Sequence, residues 1–195
     1  MLVNLPYRAD RAVSYARTWA LSRNPLFIDF TGFGGNCTNF VSQCILAGGG
    51  VMNYTPDFGW YYTSPEDRAP AWTGVEYFYD FITRAPAFVS RNGGVGPFAE
   101  QVPRPFVIAG DVVQLADENG DWYHSMIVSE VRNEEIYVCA HSVDSLDRAL
   151  STYTYDAIRF LHILGIYAET DNVESYEYLL RGGSPGEIFD PEGGD

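Results

Sequence analysis

The chain has 195 residues, 46% of them apolar, and carries 26 acidic groups against 12 basic ones for a formal charge of −14. That length and apolar share suffice for one globular core, and every basic residue is an arginine, with no lysine anywhere. So negative a balance repels phosphate backbones and anionic membranes; it sets aside nucleic acid and membrane as partners, and an anionic polymer such as cell wall would have to bind through short-range contacts.

The three cysteines, Cys37, Cys44 and Cys139, are an odd number without a CxxC pair, which argues against a disulfide framework and a structural zinc site. At least one thiol is therefore free. No short ligand pair at metal spacing joins them to the three histidines, so neither metal nor cofactor is expected. Residues 1–10 lack a cationic start followed by an apolar stretch, and no apolar run approaches the roughly 18 residues that would span a bilayer. The expectation is a cytoplasmic protein or a fragment of an exported one. The oligomeric state leaves no mark in the sequence.

In chain order, Val13, Ala16, Trp19 and Ala20 follow helical spacing up to Asn24-Pro25, where proline disfavours continuation. A glycine-rich turn, Thr31 to Asn36, leads into a second helix beginning at or near Cys37 and ending in Gly48-Gly-Gly50. Thr73-Gly-Val-Glu76 fits a capping box for a third helix with Val75, Phe78, Tyr79 and Ile82 as its apolar stripe. Between these helices lies an aromatic-rich segment from Tyr54 to Trp72, read first as core cover and second as a cleft lining.

After a loop rich in glycine and proline the period switches to alternation, with strands expected over 111–116, 122–131, 136–142 and 158–167. Asn119-Gly120 marks one hairpin and Arg132 to Glu135 a second short connection, so an antiparallel meander is expected. Helices first and sheet second define an α+β domain over residues 1–167. Residues 168–195, rich in acidic groups and glycine, read as a solubilising extension.

A thiol attacks as thiolate, and a helix start favours negative charge through its unpaired N–H groups. Cys37 is placed there, after glycines that let a substrate carbonyl approach. Those N–H groups could also form half of an oxyanion hole. Taken alone, Cys37 reads equally well as a small buried residue; for Cys44, seven positions on, burial is the preferred reading. If Val131 faces Ile136 across the short connection, constant register puts Met126 opposite His141, and alternation then sets His124 and His141 on one sheet face. That is the arrangement a general base and its orienting partner need. His162, in an apolar strand, reads as a hydrogen-bonded structural residue. A serine hydrolase is unsupported, since no GxSxG occurs.

The segments Gly34-Gly-Asn-Cys-Thr-Asn-Phe-Val-Ser-Gln43, Gly110-Asp-Val-Val-Gln-Leu115, Tyr123-His-Ser-Met-Ile-Val128 and Tyr137-Val-Cys-Ala-His-Ser142 resemble the bacterial amidase-domain family, related to the CHAP and NlpC-type papain-like cysteine hydrolases. The likeness runs from about Tyr7 to Ile166. It implies a papain-like fold, with the nucleophile at a helix start packed on an antiparallel sheet. It further implies catalytic roles for Cys37 as nucleophile, His124 as base and His141 as third polar residue; Asp144 takes the third role if the strand register differs from the one expected. The implied substrate is an amide or peptide, such as a peptidoglycan stem fragment. Asn36 departs from relatives that carry aspartate before the cysteine. Three activities fit this reading: amide hydrolysis through a thioester, acyl transfer on the same scaffold, and a non-catalytic module that keeps the cleft.

Overall fold

The computed structural model describes residues 2–85 and 94–169. A short strand β1 (Val3–Leu5) precedes α1 (Ala9–Trp19), α2 (Cys37–Gly49), α3 (Pro70–Thr73) and α4 (Val75–Ile82). Then come β2 (Gly96–Val102), β3 (Val112–Ala116), β4 (Trp122–Arg132), β5 (Glu135–Ala140), β6 (Ser145–Ala149) and β7 (Ala157–Ala168). The described pairings are all antiparallel, and the chain is α+β, with α1, α2 and α4 packed on β4.

The helices start and stop for local reasons. α2 opens at Cys37 and closes at Gly50, whose left-handed φ of 68° lets its N–H reach the Leu46 carbonyl. The expected capping box is not formed. Gly74 sits at the cap of α4 without a side-chain cap bond, because Thr73 ends the preceding turn α3 and Glu76 turns to Arg159 at 2.7 Å. Phe78, Phe81 and Ile82 are the residues α4 buries.

Four of the strands fall where alternation predicts, but their order does not follow the chain. The sheet runs β1-β7-β3-β4-β5-β6, with β2 on the other edge of β7. The last strand thus returns to pair with β3, where a simple meander would have put it beyond β5. β1, β2 and β6 were not expected from the sequence, and β7 extends one residue beyond the anticipated domain boundary, pairing Ala168 with Val3. Residues 170–195, nearly all of the acidic extension, lie outside the described residues.

Both faces of the central strands are buried, as the all-buried β3 shows. One face, with Val112, Ile127, Cys139 and Leu161, packs against Phe40, Val41, Cys44, Trp60, Trp72 and Phe78 from the helices and the aromatic segment. The other gathers Val113, Leu115, Met126, Val128, Val138, Ala140 and Phe160. Trp60 and Trp72 are fully buried, whereas Tyr54 and Phe58 of the same segment are exposed. Core cover is therefore the role of its two tryptophans. Burial of each such ring contributes roughly 2–3 kcal/mol.

Candidate active site

The start of α2 is locked by polar side chains that are themselves buried. Asn36 directs its Oδ1 to the Phe30 N–H at 3.1 Å and the Asn39 amide at 2.7 Å, while its backbone N–H donates to Ser142 Oγ at 3.0 Å. Asn39 also donates to the Ile28 carbonyl and accepts from Trp72 Nε1 at 2.8 Å. Thr38 meets Ser125 Oγ at 3.1 Å, and Ser125 accepts from Gln114 at 3.0 Å. An apolar core around a helix with so many polar residues is stable only if each of them is paired. That pairing also holds the helix against β4 in one register.

Cys37 lies on this fixed start, buried with 6% exposure. Its Sγ is 3.9 Å from the Tyr123 carbonyl oxygen. A carbonyl points along the sheet, so the sulfur sits at the hydrogen-bonding edge of β4. That edge is vacant there because β5 ends at Ala140 and its described pairing with β4 reaches only Ile127. Side chains from both sheet faces can flank a thiol so placed. The N–H groups of Cys37, Thr38 and Asn39 in the first turn make no hydrogen bond to any described residue, leaving them available to an oxyanion.

His124 follows the carbonyl that the thiol touches. Tyr123 is an extra residue in the β3–β4 ladder, between the pairs Leu115–His124 and Ala116–Trp122, and a bulge of this kind re-aims neighbouring side chains. The half-buried His124 ring lies 6.2 Å, centroid to centroid, from both Tyr123 and Tyr153. Its nitrogens bond to no described residue. Burial, and secondarily the positive charge of Arg148, push its pKa down to about 4, so at neutral pH the imidazole is uncharged and can accept a proton.

His141 is placed differently from the expectation. Val131 does face Ile136, but a second irregularity between Val128 and Glu130 shifts the register by one, to Ile127–Cys139. A one-residue shift exchanges faces. His124, paired with Leu115, therefore faces the second cluster, while His141 stacks on Phe40 of α2 at 3.9 Å. The two histidines do not share a face. His141 Nε2 donates to the Trp19 carbonyl at 2.9 Å, and Nδ1 accepts from Asn36 Nδ2 at 2.8 Å. A carbonyl can only accept and an amide nitrogen only donate, so the ring is held neutral with both nitrogens used. Burial accordingly lowers its pKa. Asp144 forms an ion pair with Arg23 at 2.9 Å.

The two lowered histidine pKa values fix a pH dependence of stability. The unfolded chain takes up these protons near pH 6.5, whereas folded His124 resists until about pH 4. Between those values the unfolded state binds more protons, so stability falls as the pH drops. At about 1.4 kcal/mol per unit, His124 accounts for on the order of 2–3 kcal/mol. Urea unfolding at pH 7 and pH 4.5 is expected to show this loss, and His124→Gln to reduce it; equal stability of the wild type at both values would contradict it.

The remaining expected residues have ordinary roles. Cys44 and Cys139 are fully buried, with burial raising both thiol pKa values. His162 pairs with buried Asp111 at 2.8 Å. Among the described residues no group of three His, Cys, Asp or Glu is arranged to hold a metal. A cleft of about 460 Å³ between Asp57, Phe58, Tyr77, Asp80 and Arg84 includes none of the residues around Cys37. Sequence reasoning missed Thr38, Ser142 and Arg148, whose importance arises from contacts between distant segments.

Residues 6–164 match the family described as "Putative amidase domain", and the chain belongs to that family. The assignment points to hydrolysis of an amide. A curated relative is similar over a short stretch: "Uncharacterized protein YhbB" of Bacillus subtilis (strain 168) is 44% identical over 55 residues, which cover 27% of this chain and 17% of that protein. The matched stretch thus spans under a fifth of the relative. No solved structure matches the chain.

Proposed function

We propose that the protein is a cysteine amidase of papain-like type, with Cys37 as nucleophile and His124 as general base. The observation that carries this reading is the position of the Cys37 sulfur, on a helix start and against the carbonyl of the residue before His124. In the proposed cycle His124 turns from Tyr153 toward the sulfur as substrate fills the vacant edge of β4. Catalytic hydrogen bonds commonly tighten only in the complex. The imidazole takes the thiol proton, the thiolate attacks the amide carbonyl, and the first-turn N–H groups receive the oxyanion. His124 then protonates the leaving amine, and water attacks the thioester to release the acid.

His141 takes a positioning role here, holding Asn36 and hence the helix start, and contributes no proton. Peptide amides, including cell-wall stem peptides, are the proposed substrates. The test is a panel of such amides with Cys37→Ala as the comparison, repeated with added amine. Release of acid and amine supports hydrolysis; capture of the acyl group by the added amine would favour acyl transfer; no turnover on any member contradicts both.

A further inference from the structure

In a chain of net charge −14, arginines find carboxylates readily: Arg17 pairs with Asp147 at 3.0 Å, Arg23 with Asp144 at 2.9 Å and Arg159 with Glu76 at 2.7 Å. Arg148 has no carboxylate partner among the described residues. Its Nε donates to Thr152 Oγ1 at 2.8 Å and Nη2 to the Thr152 carbonyl at 3.1 Å, while Nη1 bonds to no described residue. The guanidinium carbon lies 4.0 Å over the Tyr153 ring, and Tyr153 is itself tied to Ser145 Oγ at 3.1 Å.

This fixed cation stands on the side of the sheet that His124 faces. Arg148 pairs with Val138 and His124 with Leu115, and both partners belong to the second cluster. Both neighbour the Tyr153 ring, the imidazole at 6.2 Å and the guanidinium carbon at 4.0 Å, so the guanidinium is within about 10 Å of His124. That separation corresponds to about three residues of extended peptide. A guanidinium held by two hydrogen bonds and an aromatic face is partly pre-organised and presents its remaining donor at a reduced entropic cost.

We propose that Arg148 is a specificity-determining carboxylate anchor, selecting amides that carry a carboxylate one to three residues from the bond attacked by Cys37. The inference rests on the amidase reading for the identity of that bond. It gives an acidic protein a place for an anionic substrate: a cation with no carboxylate partner among the described residues, on the side of the sheet that His124 faces. The same charge contributes to holding the His124 pKa down, so an anion bound at Arg148 should let that pKa rise.

The test follows the His124 ring by NMR across pH, in wild type with N-acetylalanine or with its neutral counterpart N-acetylalaninamide. N-acetylalanine is expected to bind and raise the His124 pKa, and the neutral amide to leave it unchanged. Arg148→Gln is expected to weaken N-acetylalanine binding at least tenfold and remove the response; Arg148→Lys, which keeps the charge, should preserve it in part. A response to both compounds alike, to neither, or undiminished in Arg148→Gln overturns the anchor. The wild-type comparison stands even if Arg148→Gln fails to fold. Because the readout needs no turnover, an intact response without amide cleavage would fault the amidase reading and leave the anion site standing.

Discussion

Replacing Cys37 by alanine is expected to abolish amide hydrolysis, with a fall in kcat of about 10⁴- to 10⁶-fold, the scale at which loss of a nucleophile acts in such units. The melting temperature should hardly move. The sulfur's described polar contacts, to Thr38 Oγ1 and the Tyr123 carbonyl, are both at 3.9 Å, and the bonds that lock α2 come from Asn36, Thr38 and Asn39. Removing one sulfur leaves them all in place. Steady-state kinetics and a thermal melt on the same preparation check both halves. Activity near wild type would take Cys37 out of the mechanism, and a large loss of stability would mean that the thiol is a packing residue.

Alanine at His124 and at His141 should separate chemistry from architecture. His124 makes no hydrogen bond to any described residue, so His124→Ala is expected to cost little stability while lowering kcat nearly as far as Cys37→Ala, since nucleophile and base act as one unit. His141 is 1% exposed, stacked on Phe40 and bonded at both nitrogens. Its loss strands the Asn36 amide and the Trp19 carbonyl in the interior, costing roughly 2–4 kcal/mol. Activity would then fall through displacement of the helix start, and lower temperature should restore part of it. A stable but inactive His141→Ala would instead restore His141 as the third catalytic residue, the orienting partner of the base.

The start of α2 was legible because a cysteine after glycines and before a helical apolar pattern is a strictly local signal, as was the pairing of Val131 with Ile136 across the short polar connection, which the structure tightens to a turn at Asn133 and Glu134, both with positive φ. The relation between His124 and His141 was not. It depends on one unpaired residue between Val128 and Glu130, and a bulge leaves no trace in alternation when the strand is buried on both faces. β6 escaped for a related reason: in Ser145–Ala149 a polar stretch pairs at a sheet edge, with Asp147 at a positive φ of 48°, so neither propensity nor period marks it. Arg148 went unseen with it. The return of β7 to β3 is a long-range closure that the order of strands along the chain cannot express.

The most direct test of Cys37 needs no substrate. The folded protein is treated with iodoacetamide at mildly acidic pH, digested, and the modified peptides are weighed. Cys44 and Cys139 are fully enclosed and burial raises their thiol pKa values, whereas Cys37 keeps 6% exposure at the start of α2, against the carbonyl of the residue before His124. An ordinary thiol, with a pKa of about 8.5, reacts little under those conditions. The account predicts one modified peptide, containing Cys37, formed more slowly in His124→Ala; equal labelling of all three thiols, or preference for Cys139, would contradict it.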